Sequence, residues 1–293
     1  MGSVTRSHPT DDSGSGGGGG SSDPAWYEEY SFDFTTQASG SITHNDTIDL
    51  GTRAADGATV TWTAEEDATN DVDDALGTLE WVSGSGLRVT PATGVATNTH
   101  SSIDTPCLTV ALSDCIPNLT NRDAICVQVF LDEPVTMAAN HDGYGVILYK
   151  PEPTLGAVTE WLQYRTYFDW NNRLWQVSGD AAAKSVQSSA ILPTPSSLEI
   201  VLYSTGGIGV CAHSTSTDVT ASPLQTIADD RAIVQFGGGT PPNSGAWAES
   251  WVDPATLRLA LVCFKESGSG TAFYTDFSSV RILRLGGHAG GAL

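Results

Sequence analysis

Acid and base chemistry on a glycosidic bond needs two carboxylates about 5 to 10 Å apart, and this chain offers 34 acidic residues. The adjacent pairs Glu28-Glu29, Asp132-Glu133 and Asp229-Asp230 are the first candidates. Neighbouring residues of an extended chain point to opposite faces, so such a pair cannot address one bond. Solvated loop charges are their expected identity. No Glu-x-Asp-x-Glu or Glu-x-Asp-x-x-Glu run sets carboxylates along one strand, and the chain is expected not to be an enzyme. Asp67, Asn70, Asp71, Asp73 and Asp74 form an oxygen-rich group. Calcium takes roughly six to eight such ligands, but the glycine and terminal glutamate of the helix-loop-helix calcium signature are missing. Calcium is therefore the one cofactor left open, against a hydrated turn. Asn140-His141-Asp142-Gly143 has the same status and is more economically a turn.

Nucleophilic and metal chemistry find little to use. His8, His44, His100, His141, His213 and His288 are scattered without the i, i+4 or two-histidine-plus-carboxylate spacing of a metal site or a triad. Gly179-Asp180-Ala181-Ala182-Ala183-Lys184-Ser185 lacks the glycine before lysine and is one residue short of a phosphate loop. Cys107, Cys115, Cys126, Cys211 and Cys263 are odd in number and contain no C-x-x-C pair, which indicates neither a disulfide framework nor a zinc site. Cys126, Cys211 and Cys263 read as small core residues; Cys107 and Cys115 could close a short loop only if oxidised. Asn45-Asp46-Thr47 and Asn118-Leu119-Thr120 match the glycosylation pattern by composition and need secretion to matter.

The binding surface that the sequence names is aromatic. Over positions 161–168, alternation sets Trp161, Gln163, Arg165 and Tyr167 on one face and Leu162, Tyr164, Thr166 and Phe168 on the other. Rings beside Arg and Gln suit sugar stacking or a subunit contact; the alternative is that covering loops bury them. Trp170, in the turn before Arg173-Leu174-Trp175-Gln176-Val177, is expected to be exposed, and Trp161, Arg165, Tyr167, Trp170 and Trp175 are the candidate binding residues. Trp247 and Trp251 are expected to be loop anchors.

Those residues must be carried by strands. Period-two runs recur from Trp26 to Phe34 through Thr59-Val60-Thr61-Trp62-Thr63, Leu79 to Val82, Leu87 to Thr90, Leu108 to Leu112 and Ile125 to Leu131. They continue at Gly145 to Tyr149, Trp161 to Phe168, Arg173 to Val177, Leu198 to Tyr203, Gly207 to His213, Ala232 to Phe236, Leu257 to Lys265 and Ser279 to Leu285. The best helical stretch, Asp73 to Leu79, is too short. Asn171-Asn172 and Ser204-Thr205-Gly206-Gly207 suit hairpin turns. The last two runs read as inner strands that seal a sheet. The expectation is an all-β, antiparallel jelly-roll sandwich over residues 26–286, with a tail at 287–293.

Ahead of it lies an arm, residues 1–25, whose Gly16, Gly17, Gly18, Gly19 and Gly20 no hydrophobic core could hold. A neighbouring subunit would have to order it. The net charge is −21, with three lysines, which repels nucleic acid and anionic membranes and favours dense display. The start has no apolar signal segment and no stretch approaches a transmembrane span, so synthesis in the cytoplasm is expected.

The succession of a long aromatic strand, the Arg173 to Val177 strand, the Leu198-Tyr203/Gly207-Val210 hairpin and the closing Ser278-Ser279-Val280-Arg281-Ile282 resembles concanavalin A-like and laminin G-type jelly rolls. With a glycine-rich arm and an acidic chain, it is similar to virion proteins of tailed phages: head decorations, head spikes and tail-fibre components. The resemblance implies a structural protein in the virion, bound to other virion proteins through the arm and to copies of itself. It also implies, as the alternative, a module for a cell-surface glycan or receptor.

Overall fold

The computed structural model describes residues 26–66, 76–93, 103, 105–121, 123–132, 142–153, 158, 160–167, 173–178, 184–187, 197–202, 208–213, 234–236, 252–265 and 272–286. The first strands are β1 (Trp26–Asp33), β2 (Gly40–Ile42), β3 (Thr47–Thr52), β4 (Thr59–Glu65), β5 (Gly77–Val82) and β6 (Gly86–Pro91). Next come β7 (Cys107–Ala111), β8 (Ile125–Leu131), β9 (Asp142–Tyr149), β10 (Glu160–Tyr167), β11 (Arg173–Ser178) and β12 (Lys184–Gln187). The chain closes with β13 (Ser197–Leu202), β14 (Ile208–His213), β15 (Val234–Phe236), β16 (Arg258–Lys265) and β17 (Thr275–Leu285). Helix among the described residues is one α turn, α1 (Leu112–Cys115), and a 3-10 turn at Phe34–Thr36. The expected all-β antiparallel sandwich is what the chain forms.

The first sheet runs β15-β14-β13-β8-β17-β6-β5-β2, with β1 also paired to β17; the second runs β12-β11-β10-β9-β16-β7-β4-β3. Alternation explains the layers. Ile125, Val127, Val129, Leu198, Ile200, Val280 and Ile282 of the first sheet meet Leu108, Val110, Val146, Leu148, Leu259 and Leu261 of the second in one core. The two C-terminal runs are inner strands as expected, but each lies in a different sheet: β16 between β9 and β7, β17 between β8 and the pair β6 and β1. They seal two sheets across the core.

Aromatic residues fix the start of the fold. Trp62 Nε1 donates to the Tyr30 hydroxyl at 2.9 Å, and that hydroxyl donates to Leu50 O at 2.6 Å, so neither ring buries an unsatisfied polar end. Phe34 meets Trp62 edge-on at 5.9 Å. Asp33 ends β1 and caps the 3-10 turn by accepting from Thr35 N. Gly86 is needed where β6 meets β17: its φ is +113, and a Cβ there would stand 2.2 Å from Phe277 O.

One sequence expectation is corrected. Glu28 and Glu29 lie on a strand, and only Glu28 is exposed. A β-bulge between Glu28 and Tyr30 in the pairing with β17 makes Glu29 the extra residue. Glu29 therefore turns inward together with Tyr30 and lies fully buried, its Oε1 3.4 Å from Arg284 Nε. Cys107 and Cys115 are both buried and free, so no bridge joins them. Leu79 lies in β5, in agreement with the run Leu79 to Val82; three short strands, β2, β3 and β12, had no sequence signal strong enough to mark them.

Candidate functional site

The outer face of the second sheet carries the richest polar constellation among the described residues, built from four consecutive strands. In β4, polar residues at alternate positions face away from the core: Thr59, Thr61, Thr63 and Glu65, against buried Val60, Trp62 and Ala64. The same alternation puts Thr109 of β7, Arg258 of β16 and Tyr149 of β9 on that side, with Arg258 opposite both Ala111 and Tyr149. Glu65 accepts from Thr109 Oγ1 at 2.9 Å, from the Tyr149 hydroxyl at 3.0 Å and from Arg258 Nη2 at 3.1 Å. Arg258 also donates from Nε to the Tyr149 hydroxyl at 3.1 Å and from Nη2 to Thr109 Oγ1 at 2.6 Å.

The electrostatics follow from this closure. Burial pushes the Tyr149 phenol well above its ordinary value of 10.0, and the neighbouring Glu65 charge adds to that. Burial alone would lower the proton affinity of Arg258; Tyr149 and Glu65 outweigh it, and the net shift is upward. The Glu65 carboxylate, with three donors of which one is a cation, is held within the cluster. The cluster is chemically a clamp across β9, β16, β7 and β4.

Trp161 sits beside the clamp, opposite Tyr149. It is 2% exposed, packed with Ile147, Tyr149, Val262 and Phe264, and with Ile103 and Val158 from segments outside the strands. Gln163 is buried as well. At these two positions the covering alternative holds, and the Trp161 ring does not face solvent for stacking. Arg165 pairs with Gly145 and Arg173, Tyr167 with Gly143, and Trp175 with Gln163 and Ser185 in backbone register; their side chains, and all of Trp170, lie outside what is described. So do arm glycines Gly16, Gly17, Gly18, Gly19 and Gly20, and Asp67, Asn70, Asp71, Asp73, Asp74, Asn140 and His141 of the candidate calcium loops. Asp142 begins β9. Among the described residues no group of three or more His, Cys, Asp or Glu gathers as a metal would require.

Sequence reasoning missed Glu65 and Arg258. The signal was present in the outward-facing period of β4 and in the lone cation of Leu257-Arg258-Leu259, but only strand order brings them together. The large apolar side chains that stay exposed among the described residues are Tyr27, at 44%, and Tyr274, at 37%.

No protein family and no curated protein matches this sequence. Solved structures give weak similarity. The CBM2 module of the Lactobacillus casei BL23 phage J-1 evolved Dit aligns over 92% of this chain and all of its own, at 11% identity and a TM-score of 0.46. An endo-1,3-beta-glucanase from Streptomyces sioyaensis aligns over 96% and 100% at 11% identity and TM-score 0.41. The protein of unknown function SO2946 from Shewanella oneidensis MR-1 aligns over 91% and 90% at 9% identity and TM-score 0.38. With every score below 0.5, no functional property passes from these proteins to this chain. Among the described residues no helix is long and apolar enough to cross a membrane.

Proposed function

We propose that this chain is a non-catalytic structural module of a virion, held to neighbouring virion proteins by its glycine-rich arm and displaying the sandwich. The observation that carries this reading is where the arm is rooted. Trp26 follows the arm and pairs with Leu285, and β1 then runs antiparallel to β17, an inner strand, as far as Asp33 opposite Ser279. Two ion pairs reinforce that seam, Glu28 with Arg281 at 2.7 Å and Glu29 with Arg284. A pull on the arm would be borne by the backbone hydrogen bonds that join β1 to the inner strand β17, which suits a tether.

The chemistry agrees with a non-enzymatic role. Glu65 is closed by Thr109, Tyr149 and Arg258, Asp276 is held by Arg88, and Glu160 meets Lys150 at 2.8 Å. Carboxylates so paired are engaged with their own fold and leave little acceptor capacity for a substrate. The net charge of −21 opposes nucleic acid as a partner and favours solubility at high copy number. Ordering a glycine tract costs about 1 to 2 kcal/mol per residue, so the partner must supply an extended binding groove. Deleting residues 1–24 tests the reading: the sandwich should stay folded and no longer join the particle. Assembly of the truncated chain at normal occupancy would overturn it.

A further inference from the structure

On the outer face of the first sheet, backbone register aligns Ser41, Glu80, Arg88 and Asp276 in one row across β2, β5, β6 and β17. Buried Asp276 takes Arg88 in two parallel bonds, from Nε and Nη2, each 2.7 Å. That fork fixes the guanidinium plane and leaves Nη1 directed to Glu80 Oε1 at 3.9 Å, beyond hydrogen-bond reach. The guanidinium carbon lies 3.8 Å from the centroid of the Tyr274 ring. One face of the Tyr274 ring lies on the cation, the residue is 37% exposed, and the Glu80 side chain on the same guanidinium is 43% exposed.

A gap of 3.9 Å between a donor and an acceptor suits a group about 2.8 Å from each that accepts from one and donates to the other. A hydroxyl does both. An ammonium has no lone pair with which to accept from Arg88, and a carboxylate has no proton to donate to Glu80. The aromatic face next to the gap calls for a flat apolar surface on the same molecule. A pyranose unites the two on one rigid frame, with C–H bonds on its face and hydroxyls around its rim. We propose that Tyr274, Arg88 and Glu80 form a saccharide-binding site, in which a pyranose stacks on Tyr274 while one hydroxyl accepts from Arg88 Nη1 and donates to Glu80. The cation beneath the ring and the Asp276 fork beneath the cation order the site before any ligand arrives, which lowers the entropic cost of binding. One such contact gives a dissociation constant on the order of 1 mM.

The site stands apart from attachment: particle occupancy tests the arm, and sugar titration tests the site. The full chain, isotope-labelled, is titrated with maltohexaose, cellohexaose, laminarihexaose and chitohexaose, and with a Gly-Ser-Asn hexapeptide as control, while amide signals are followed by NMR. At least one hexaose should shift Tyr274, Arg88 and Glu80 together. Tyr274→Ala should weaken that sugar about tenfold or more, Tyr274→Phe should keep most of the affinity, and Glu80→Ala should weaken it by about tenfold, all with an unchanged melting temperature. Absence of a shift with every hexaose at about ten times the expected dissociation constant would overturn the assignment. So would affinity unaltered by Tyr274→Ala, or a response to the peptide alone, which would make this a polypeptide contact.

Discussion

Replacing Glu29 by Ala should be among the most damaging single changes in the chain, although its neighbour Glu28 is an ordinary surface charge. The bulge turns Glu29 inward, where it lies fully buried opposite Arg284, whose side chain is itself 7% exposed. Arg284 also donates from Nη2 to Pro117 O. Truncation leaves a guanidinium buried with a carbonyl and no counter-charge. Removing one partner of a buried pair costs about 3 to 5 kcal/mol. For a domain of this size each kcal/mol lowers the melting temperature by roughly 2 to 4 °C, so Glu29→Ala should melt about 6 to 20 °C below the parent. Circular dichroism melts with urea titrations would measure it. Glu28→Ala, which loses an exposed pair with Arg281 and an exposed hydrogen bond from Ser31, should cost about 1 kcal/mol or less. Glu29→Leu with Arg284→Met should recover most of the loss, because two apolar groups need no partner. A Glu29→Ala protein within about 1 kcal/mol of the parent would refute the buried pair.

Trp161→Ala should destabilise by about 3 to 5 kcal/mol, since the ring fills the space under Ile103 and Val158; a loss under about 0.5 kcal/mol would mean that it is exposed after all. Tyr30 and Tyr149 are raised above 10.0 chiefly by burial. Their unfolded forms ionise first, so the unfolded state binds fewer protons above pH 10 and stability falls as pH rises from there; absorbance at 295 nm should show both phenols ionising only with unfolding, and early ionisation of both would contradict this. Cys107 and Cys115 are raised well above their ordinary value by burial, so a thiol reagent should label them only after denaturation, and labelling of either in the native protein would contradict their placement.

The strands with strong alternation were legible, because a half-buried strand writes its period into the sequence. Thr59 to Glu65 is the clearest example, and its polar positions even mark the face that carries Glu65. The short edge strands were not: Gly40–Ile42 has three residues, and Thr47–Thr52 contains a bulge and Gly51 at φ +81. Alternation also misled at Glu29, since one inserted residue in β1 reverses the rule locally without any change in composition. Trp161 shows a different limit. The period correctly put it on the face away from the main core, yet cannot tell whether that face is covered. Coverage depends on Ile103, far away in sequence, and on Val158, three residues before Trp161, whose roles only the folded chain reveals.

That coverage also decides where recognition can occur. β8, β13 and β16 are buried on nearly every residue, so the middle of each sheet is closed on both faces. On the second sheet the closure is Trp161 with its apolar neighbours, and in the clamp Glu65 takes its donors from Thr109, Tyr149 and Arg258. On the first sheet, burial relaxes towards β6, β5 and β2, where Thr78, Glu80 and Ser41 are open or half-open. There an aromatic ring, a guanidinium fixed by Asp276 and an exposed carboxylate meet, with 3.9 Å and no hydrogen bond between the last two. A polar network closed on itself stabilises a fold, and one left open by 3.9 Å between Arg88 and Glu80 is completed by a ligand. The difference between the two faces is thus a difference in hydrogen-bond closure, which is why Tyr274 rather than Trp161 is the ring to which a sugar should bind.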